Sequence, residues 1–320
     1  MKTQQRTWTI AFGAALVLAT IGFGVTANNF LLQAGTTLAM YVALAYAWNI
    51  VGGYMGYPSF GTAAFFGFGC YAGAIAQNAG APMWLAWPAA ALGGAIFSAV
   101  LGRILLGMRG HYFAIGTIAV VEVMREVSNN WEALTAGATG LNLPIVAGSP
   151  REVGMLFFFV MTAFAGFALL LTLLIARSKF GFGLRCIKQN EQAASMVGIG
   201  VLRYKVAAFV VSCALMSATG AIYASMVAFI NPDDAFNILM SISVPVIVTL
   251  GGAGLVLGPL VGAVIYMVLD NFVWINFINY HSAVLGVIII AVIYFIPQGV
   301  VREFVKRGSV LLRRDTAKAA

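Results

Sequence analysis

The chain has 320 residues, of which 61% are hydrophobic and only 9% are charged. Soluble domains carry about 25% charged residues, so a soluble enzyme, a disordered chain and a disulfide scaffold all describe this composition poorly. The formal net charge of +8 is not gathered in an exposed basic domain, so we expect no nucleic-acid partner. The composition predicts an all-α, polytopic integral membrane protein, with residues 1–320 forming one transmembrane domain.

Hydrophobic runs predict 8–10 transmembrane helices, because a helix needs about 20 apolar residues to cross a bilayer. The third and eighth runs touch glycine-rich interruptions and are expected to be broken or half-length. The first run is interpreted as a retained span, with a cleaved signal peptide as the alternative. In chain order the runs are 8–26, 31–51, 60–77, 84–106, 111–127, 153–176, 206–230, 237–250, 255–275 and 282–297.

The distribution of basic residues predicts the orientation. If the N-terminus is cytoplasmic, only Arg125 and Arg151 fall outside, which leaves 16 of the 18 Lys and Arg residues inside. Cytoplasmic loops of membrane proteins carry this excess. Ten passes then place both termini in the cytoplasm, including the basic tail 302–320, and make 177–205 the largest cytoplasmic loop.

Two glycine-rich stretches, 52–61 and 251–259, each separate one apolar run from the next. Gly and Pro let membrane helices break or approach closely, and paired interrupted segments are typical of transporter cores built from repeats. Ordinary helix packing is the alternative interpretation for any single glycine. The translocation-core candidates in these stretches are Gly52, Gly53, Pro58, Gly251, Gly252 and Gly254.

Glu122 is a further translocation-core candidate, because it lies within the fifth run. A charge inside a membrane span is costly and usually has a specific role. Arg125 follows three residues later on the same helix face, so an ion pair near the outer interface is the alternative to a place on a pore wall. Asp270 lies near the outer end of its run. An ion-coupled transporter would be expected to bury more carboxylates than these two.

The loop 177–205 contains a predicted short helix. Asn190 is suited to cap the helix and Glu191 to complement its positive end. Ala193, Met196 and Val197 then form a small apolar face, and Gly198 ends the helix. Such a face needs either a partner groove or a lipid surface.

This loop resembles the cytoplasmic coupling segment of the branched-chain amino acid ABC importer permeases, which reads G-x-x-L-R-A-I-x-x-N-E-x-A-A-x-x-x-G-I. Cys186 replaces the usual Ala. Residues 49–61, 203–209, 220–224 and 250–259 also resemble the family, and 112–117 with 130–137 resemble its LivM-type rather than its LivH-type subunit. The coupling residues expected from the resemblance are Gly183, Arg185, Asn190, Glu191, Ala193, Ala194 and Gly198.

The resemblance implies one permease subunit of an importer in the bacterial inner membrane. Its partners would be a second, LivH-type permease, two cytoplasmic ATPase subunits, a periplasmic substrate-binding protein and the lipid bilayer. The chain lacks the G-x-x-x-x-G-K-[ST] phosphate loop. We therefore expect a transport subunit that is not an enzyme, with no cofactor, no metal and no catalytic residue.

The resemblance implies that the substrate is a branched-chain or similar hydrophobic amino acid. Two alternatives stay open: an ion-coupled secondary transporter, and a permease of the same family for urea or short amides.

Overall fold

A computed structural model describes residues 26–108 and 110–276, together with isolated positions at 22, 24 and between 280 and 301. Nearly all of the first and tenth predicted passes, and the basic tail 302–320, lie outside these residues. The described chain is a helical bundle, and each of the second to ninth predicted passes contains one long helix.

The helices are separated by short connections, and one of them changes its winding. A π-helix, Asn49–Met55, continues directly from α1, and a single 3₁₀ turn covers Gly137–Thr139. In chain order the α-helices are α1 (Asn29–Trp48), α2 (Thr62–Asn78), α3 (Met83–Leu105), α4 (His111–Asn130), α5 (Glu132–Thr135), α6 (Pro150–Arg177), α7 (Lys179–Gln189), α8 (Glu191–Met196), α9 (Val201–Val227), α10 (Pro232–Ala235), α11 (Ile238–Gly251) and α12 (Gly258–Asn276).

Six helical stretches of the described chain are long and apolar enough to cross a membrane. Helices α2 and α4 stand apart from these six: α2 has only 17 residues, and α4 carries Glu122, Arg125 and Glu126. The six stretches are Asn29–Met55, Met83–Leu105, Pro150–Arg177, Val201–Val227, Pro232–Gly251 and Gly258–Asn276.

The two weak passes differ in structure. The third is an unbroken helix, α2, because the glycine-rich stretch precedes it instead of interrupting it. The eighth is half-length as expected: α11 has 14 residues, which span about 21 Å of a hydrocarbon layer about 30 Å thick. The short helix α10 extends this pass to Pro232–Gly251.

Helix α9 lies at the centre of the bundle and crosses α2 at very short range. A Cβ atom at Gly69 would lie 1.9 Å from the carbonyl oxygen of Ser217, and one at Gly220 would lie 2.0 Å from that of Phe66. Only glycine allows the two backbones to approach so closely. The two helices therefore cross tightly at Gly69 and Gly220. Gly52 and Gly56, which lie four residues apart in the first glycine-rich stretch, form no such crossing, because Gly56 ends the π-helix in a left-handed conformation (φ 79°).

Serine side chains join α9 to its neighbours within the bundle. The Ser212 hydroxyl donates to the carbonyl oxygen of Ala47 in α1 over 2.6 Å, and the Ser217 hydroxyl donates to that of Phe65 in α2 over 2.9 Å. Polar groups inside a membrane protein must find such partners, because hydrocarbon offers none.

The described residues also include two short strands of two residues each. Strand β1 (Leu141–Asn142) pairs antiparallel with β2 (Phe229–Ile230), with Leu141 opposite Ile230. This pairing attaches the segment between α5 and α6 to the end of α9.

Candidate functional site

The two glycine-rich stretches meet in space. The buried side chain of Asn49, in the π-helix, accepts a hydrogen bond from the Gly254 amide over 2.8 Å and donates one to the Leu255 carbonyl over 3.1 Å. A Cβ atom at Gly53 would lie 2.7 Å from the Gly254 nitrogen, so the contact requires glycine there. We call residues 49–56 and 251–255 the glycine junction.

The first half of the glycine junction is a seven-residue π-helix. π-Helices are rare, and they often occur at functional sites. Asn49 is the first residue of this helix and contacts the second glycine stretch, and Gly56 ends the helix. The second half of the junction lies between α11 and α12, where a Cβ atom at Gly251 would lie 1.8 Å from the Gly258 carbonyl oxygen.

We call the helices α7 and α8, residues 179–196, the coupling segment, after the segment that this part of the sequence resembles. Helix α7 reaches the glycine junction through Lys188, whose ammonium donates to the Gly53 carbonyl oxygen over 2.7 Å. The aliphatic part of the same side chain lies against Gly56, where a Cβ atom would be 2.7 Å from the Lys188 Cγ. The coupling segment and the glycine junction are therefore in direct contact.

The predicted short helix is confirmed as α8. The Asn190 side chain accepts from the amides of Gln192 (2.9 Å) and Ala193 (3.1 Å), and Glu191 occupies the first turn. Gly198 follows with a positive φ of 85°. The N-cap of α8 at Asn190 and its termination at Gly198 are therefore located where the sequence predicts them.

One side of α8 is open and apolar. Met196 is 83% exposed and Val197 75% exposed, and Ala193 is exposed beside them. Ala194, by contrast, is buried against the rest of the chain. A cavity of about 410 Å³ borders this face, and its lining includes Ser195 and Met196. We call Ala193, Met196 and Val197 the exposed face of α8.

The opposite side of α8 is held by a buried ion pair. Lys205, at the start of α9, is 3% exposed, and its ammonium lies 2.6 Å from a carboxylate oxygen of Glu191. Tyr57 completes the group: its hydroxyl accepts from Lys205 and donates to Glu191. The ammonium also lies 4.2 Å from the centre of the Tyr57 ring. We call Tyr57, Glu191 and Lys205 the ion-pair cluster.

The remaining coupling candidates have structural contacts of their own. The Arg185 guanidinium donates to the Ala176 carbonyl over 3.1 Å, near the C-terminus of α6, where a cation is favourable. Gly183 is buried, and a Cβ atom there would lie 2.5 Å from the Tyr204 ring. Among the translocation-core candidates, Pro58 is exposed and follows Tyr57 directly.

Glu122 lies apart from the glycine junction. Its carboxylate is 2.9 Å from Arg125, which also lies 3.3 Å from Asp233, just before α11. The predicted ion pair is therefore present. Helix α11 runs from this end of the bundle to the junction, so Glu122 and the glycine candidates lie at opposite ends of it.

Three residues of this site are absent from the sequence-based candidates. Tyr57 had no assigned role, Lys188 and Lys205 were counted among the basic residues that predict the orientation, and Lys205 also lies in the family-like stretch 203–209. The one available signal was a lysine in the second turn of an apolar helix, Lys205. No group of three or more metal-ligating side chains occurs among the residues that the structure describes.

Residues 30–293 match the family described as "Branched-chain amino acid transport system / permease component". This match covers most of the chain. The chain belongs to this permease family. It is accordingly a multi-pass membrane protein and a permease subunit of an ABC transporter, as the sequence resemblance indicates.

The curated relatives support the LivM-type assignment. The chain is 26% identical to the LivM permease protein of high-affinity branched-chain amino acid transport from Salmonella typhimurium, covering 90% of this chain and 74% of the relative. It is 25% identical to the LivM protein of Escherichia coli, covering 96% and 78%. A nucleoside ABC transporter permease, NupC of Lactococcus lactis, is 27% identical over 45% of this chain and 49% of its own. No solved structure matches the chain.

Proposed function

We propose that this chain imports branched-chain or similar hydrophobic amino acids across the bacterial inner membrane, powered by ATP hydrolysed in partner subunits. It would act with a second, LivH-type permease, two cytoplasmic ATPase subunits and a periplasmic binding protein. The substrate class is carried over from the names of the LivM relatives. One observation supports the mechanism most directly. The coupling segment exposes an apolar face on one side and contacts the glycine junction on the other.

The exposed face of α8 supports docking of an ATPase subunit. This six-residue helix ends at Met196, which is largely exposed, and the next residue, Val197, is also largely exposed, so the segment buries little of itself. Exposed apolar groups gain about 25 cal/mol per Å² when a partner covers them. Met196 and Val197 would enter a groove on the ATPase, while Gln192 and Ser195 remain available for polar contacts at its edge.

Two contacts support transmission from that docking helix to the membrane helices. The ion-pair cluster fastens α8 to α9, the central helix of the bundle. Lys188 fastens α7 to the Gly53 carbonyl, within the glycine junction. Movement of the coupling segment would therefore shift α9 and the junction together. ATP binding by the partner would then change the balance between inward-open and outward-open states.

The burial of charge favours this proposal over ion coupling. Lys205 is the one charged residue that is buried among the described residues, and its partner Glu191 belongs to the coupling segment. Glu122 is about half exposed and paired with Arg125. Ion-coupled carriers keep several titratable groups along the transport path, whereas Asp270 is the one half-buried carboxylate in the six described spans.

Reconstituted vesicles test the proposal. We expect leucine uptake by the complex to require ATP hydrolysis and the binding protein, and to persist when an ionophore removes ion gradients. Uptake that needs no ATP and collapses with the ionophore would contradict the proposal and favour the secondary-transporter alternative. ATP-driven uptake of urea or short amides without leucine uptake would contradict the substrate class alone.

A further inference from the structure

A second cavity lies at the end of the bundle remote from the coupling segment. It occupies about 570 Å³ between α1, α9, α11 and α12. This volume falls within the range of about 300–1,000 Å³ that small-molecule sites occupy. Its lining comes from the first half of α1, the last turns of α9 and α12, and the start of α11, all far along these helices from the glycine junction.

One part of the lining combines aromatic rings with a carboxylate. Tyr266 and Asp270 lie one turn apart on α12, so they share a face. Tyr41 of α1 lies beside Tyr266, with ring centres 5.6 Å apart, and Tyr223 and Trp274 also line the cavity. Aromatic faces and a carboxylate are the groups that bind organic ammonium ions.

The Tyr266 ring is fixed in place. Its hydroxyl is 2.9 Å from the Ser243 hydroxyl of α11, so α11 and α12 hold this side chain jointly. A carboxylate such as that of Asp270 offers about four acceptor positions, so it can receive an ammonium ion in addition to contacts within the protein. This part of the cavity is therefore arranged before any ligand arrives.

A second carboxylate, Asp234, lies at the exposed edge of the lining and accepts a hydrogen bond from Asn231 over 2.8 Å. The rest of the lining suits an uncharged aliphatic body. Methionine side chains adapt their shape to apolar ligands. The described lining contains no Lys, Arg or His, which disfavours phosphates and other anions. Hydrogen-bond donors for a single carboxylate are present in the side-chain amides of Gln33 and Asn237. The apolar members include Met40, Met226, Met240 and Ile242.

We propose that this cavity binds the substrate itself, with the ammonium group held by Asp270 among Tyr41, Tyr223 and Tyr266. The ligand class is a small amine or amino acid with an uncharged aliphatic side chain. This inference rests on the proposed function and adds a location to it: the permease holds the substrate at the end opposite the ATPase contact.

Equilibrium binding of labelled leucine to the purified complex, without binding protein, tests the inference. Two fragments of leucine serve as competitors: 3-methylbutylamine, which lacks the carboxylate, and 4-methylpentanoate, which lacks the amine. We expect the amine to displace leucine and the acid to be much weaker. Asp270→Asn should weaken leucine binding by about tenfold or more, which corresponds to about 1.4 kcal/mol or more.

Asp233→Asn is the matched control, because Asp233 is exposed and does not line the cavity. Ile242→Trp fills the cavity without changing its charge and should also weaken leucine binding. It provides a second test of the site in case Asp270→Asn does not fold. ATP hydrolysis stimulated by the binding protein reports separately on the proposed function.

If the binding protein still stimulates ATP hydrolysis, three results would overturn the inference and leave the proposed function intact. These are no leucine binding by the unmodified complex, equal displacement by the acid and the amine, or unchanged leucine affinity in Asp270→Asn. Displacement by uridine at lower concentrations than the amine would also overturn it, since it would assign the cavity to nucleosides.

Discussion

Lys205 shows how a single residue can be both buried and charged in an apolar bundle. Its ammonium is balanced by Glu191 and by the hydroxyl and ring of Tyr57. Removing one partner of a buried ion pair leaves the other charge uncompensated, whereas replacing both is often tolerated. The pairing directs the Glu191 carboxylate toward α9, so we expect Glu191 to contribute to coupling by holding α8 in place.

We predict that Lys205→Met lowers the free energy of unfolding by about 3–5 kcal/mol, because Glu191 loses its partner. The double variant Glu191→Gln with Lys205→Met should recover most of this loss. The apparent melting temperature of the purified complex measures both. Arg203→Met is the control, since Arg203 is exposed two residues away. Equal losses in the Lys205 variant and the control would contradict the role of the ion pair.

Gly53 lies where the two halves of the glycine junction touch, and it has no room for a side chain. A Cβ atom there would lie 1.9 Å from the Asn49 side-chain oxygen and 2.7 Å from the Gly254 nitrogen. Gly53→Ala should therefore separate the halves of the glycine junction and reduce both transport and thermal stability. Gly166→Ala is the matched control, because no atom lies within 4 Å of a Cβ atom at that position. Transport at the unmodified rate in Gly53→Ala would show that the junction tolerates separation.

Among the elements, those determined by local sequence were predictable and those determined by distant contacts were not. The cap at Asn190, the stop at Gly198 and the exposed face of α8 depend on neighbouring residues, and the structure has them as predicted. The ion-pair cluster joins positions 57, 191 and 205, and Asn49 binds residues 254 and 255. No periodicity links such positions.

Helix α7 contacts the glycine junction through Lys188, and this contact is expected to transmit movement of the coupling segment. Lys188→Ala should leave ATP hydrolysis in place but lower the number of leucine molecules imported per ATP, because the contact with the Gly53 carbonyl is lost. Lys179→Ala, at the exposed start of the same helix, should leave this ratio unchanged. The ratio is measured in vesicles with uptake and phosphate release followed together. An unchanged ratio in Lys188→Ala would exclude this contact from the transmission route.

At the scale of the whole molecule, the two ends of the bundle differ in chemistry. One end holds the coupling segment and the glycine junction, and the other holds the carboxylates around Arg125 and the aromatic cavity. The basic residues of the sequence predict that the first end is cytoplasmic. Composition could predict this polarity, but it could not predict the cavity, whose lining converges from four separate helices.

Cysteine labelling tests that orientation. In a Cys186→Ala background, with Cys70 and Cys213 buried, we expect Ser195→Cys to react only after the membrane is opened. Ala147→Cys should react with an impermeant reagent in intact cells. Ala147 is exposed and is preferable to Ser149, which caps α6. The reverse pattern of labelling would contradict the predicted topology.

The central claim is that the exposed face of α8 binds an ATPase subunit, and affinity purification from the native membrane tests it most directly. The unmodified chain should retain a second permease and the ATPase subunits, identified by mass. Met196→Asp, which places a charge on a residue that is 83% exposed, should lose the ATPase subunits and keep the second permease. Ile145→Asp, at a position 85% exposed outside the coupling segment, should keep both. Retention of the ATPase subunits by Met196→Asp, or their absence from the unmodified complex, would contradict the claim.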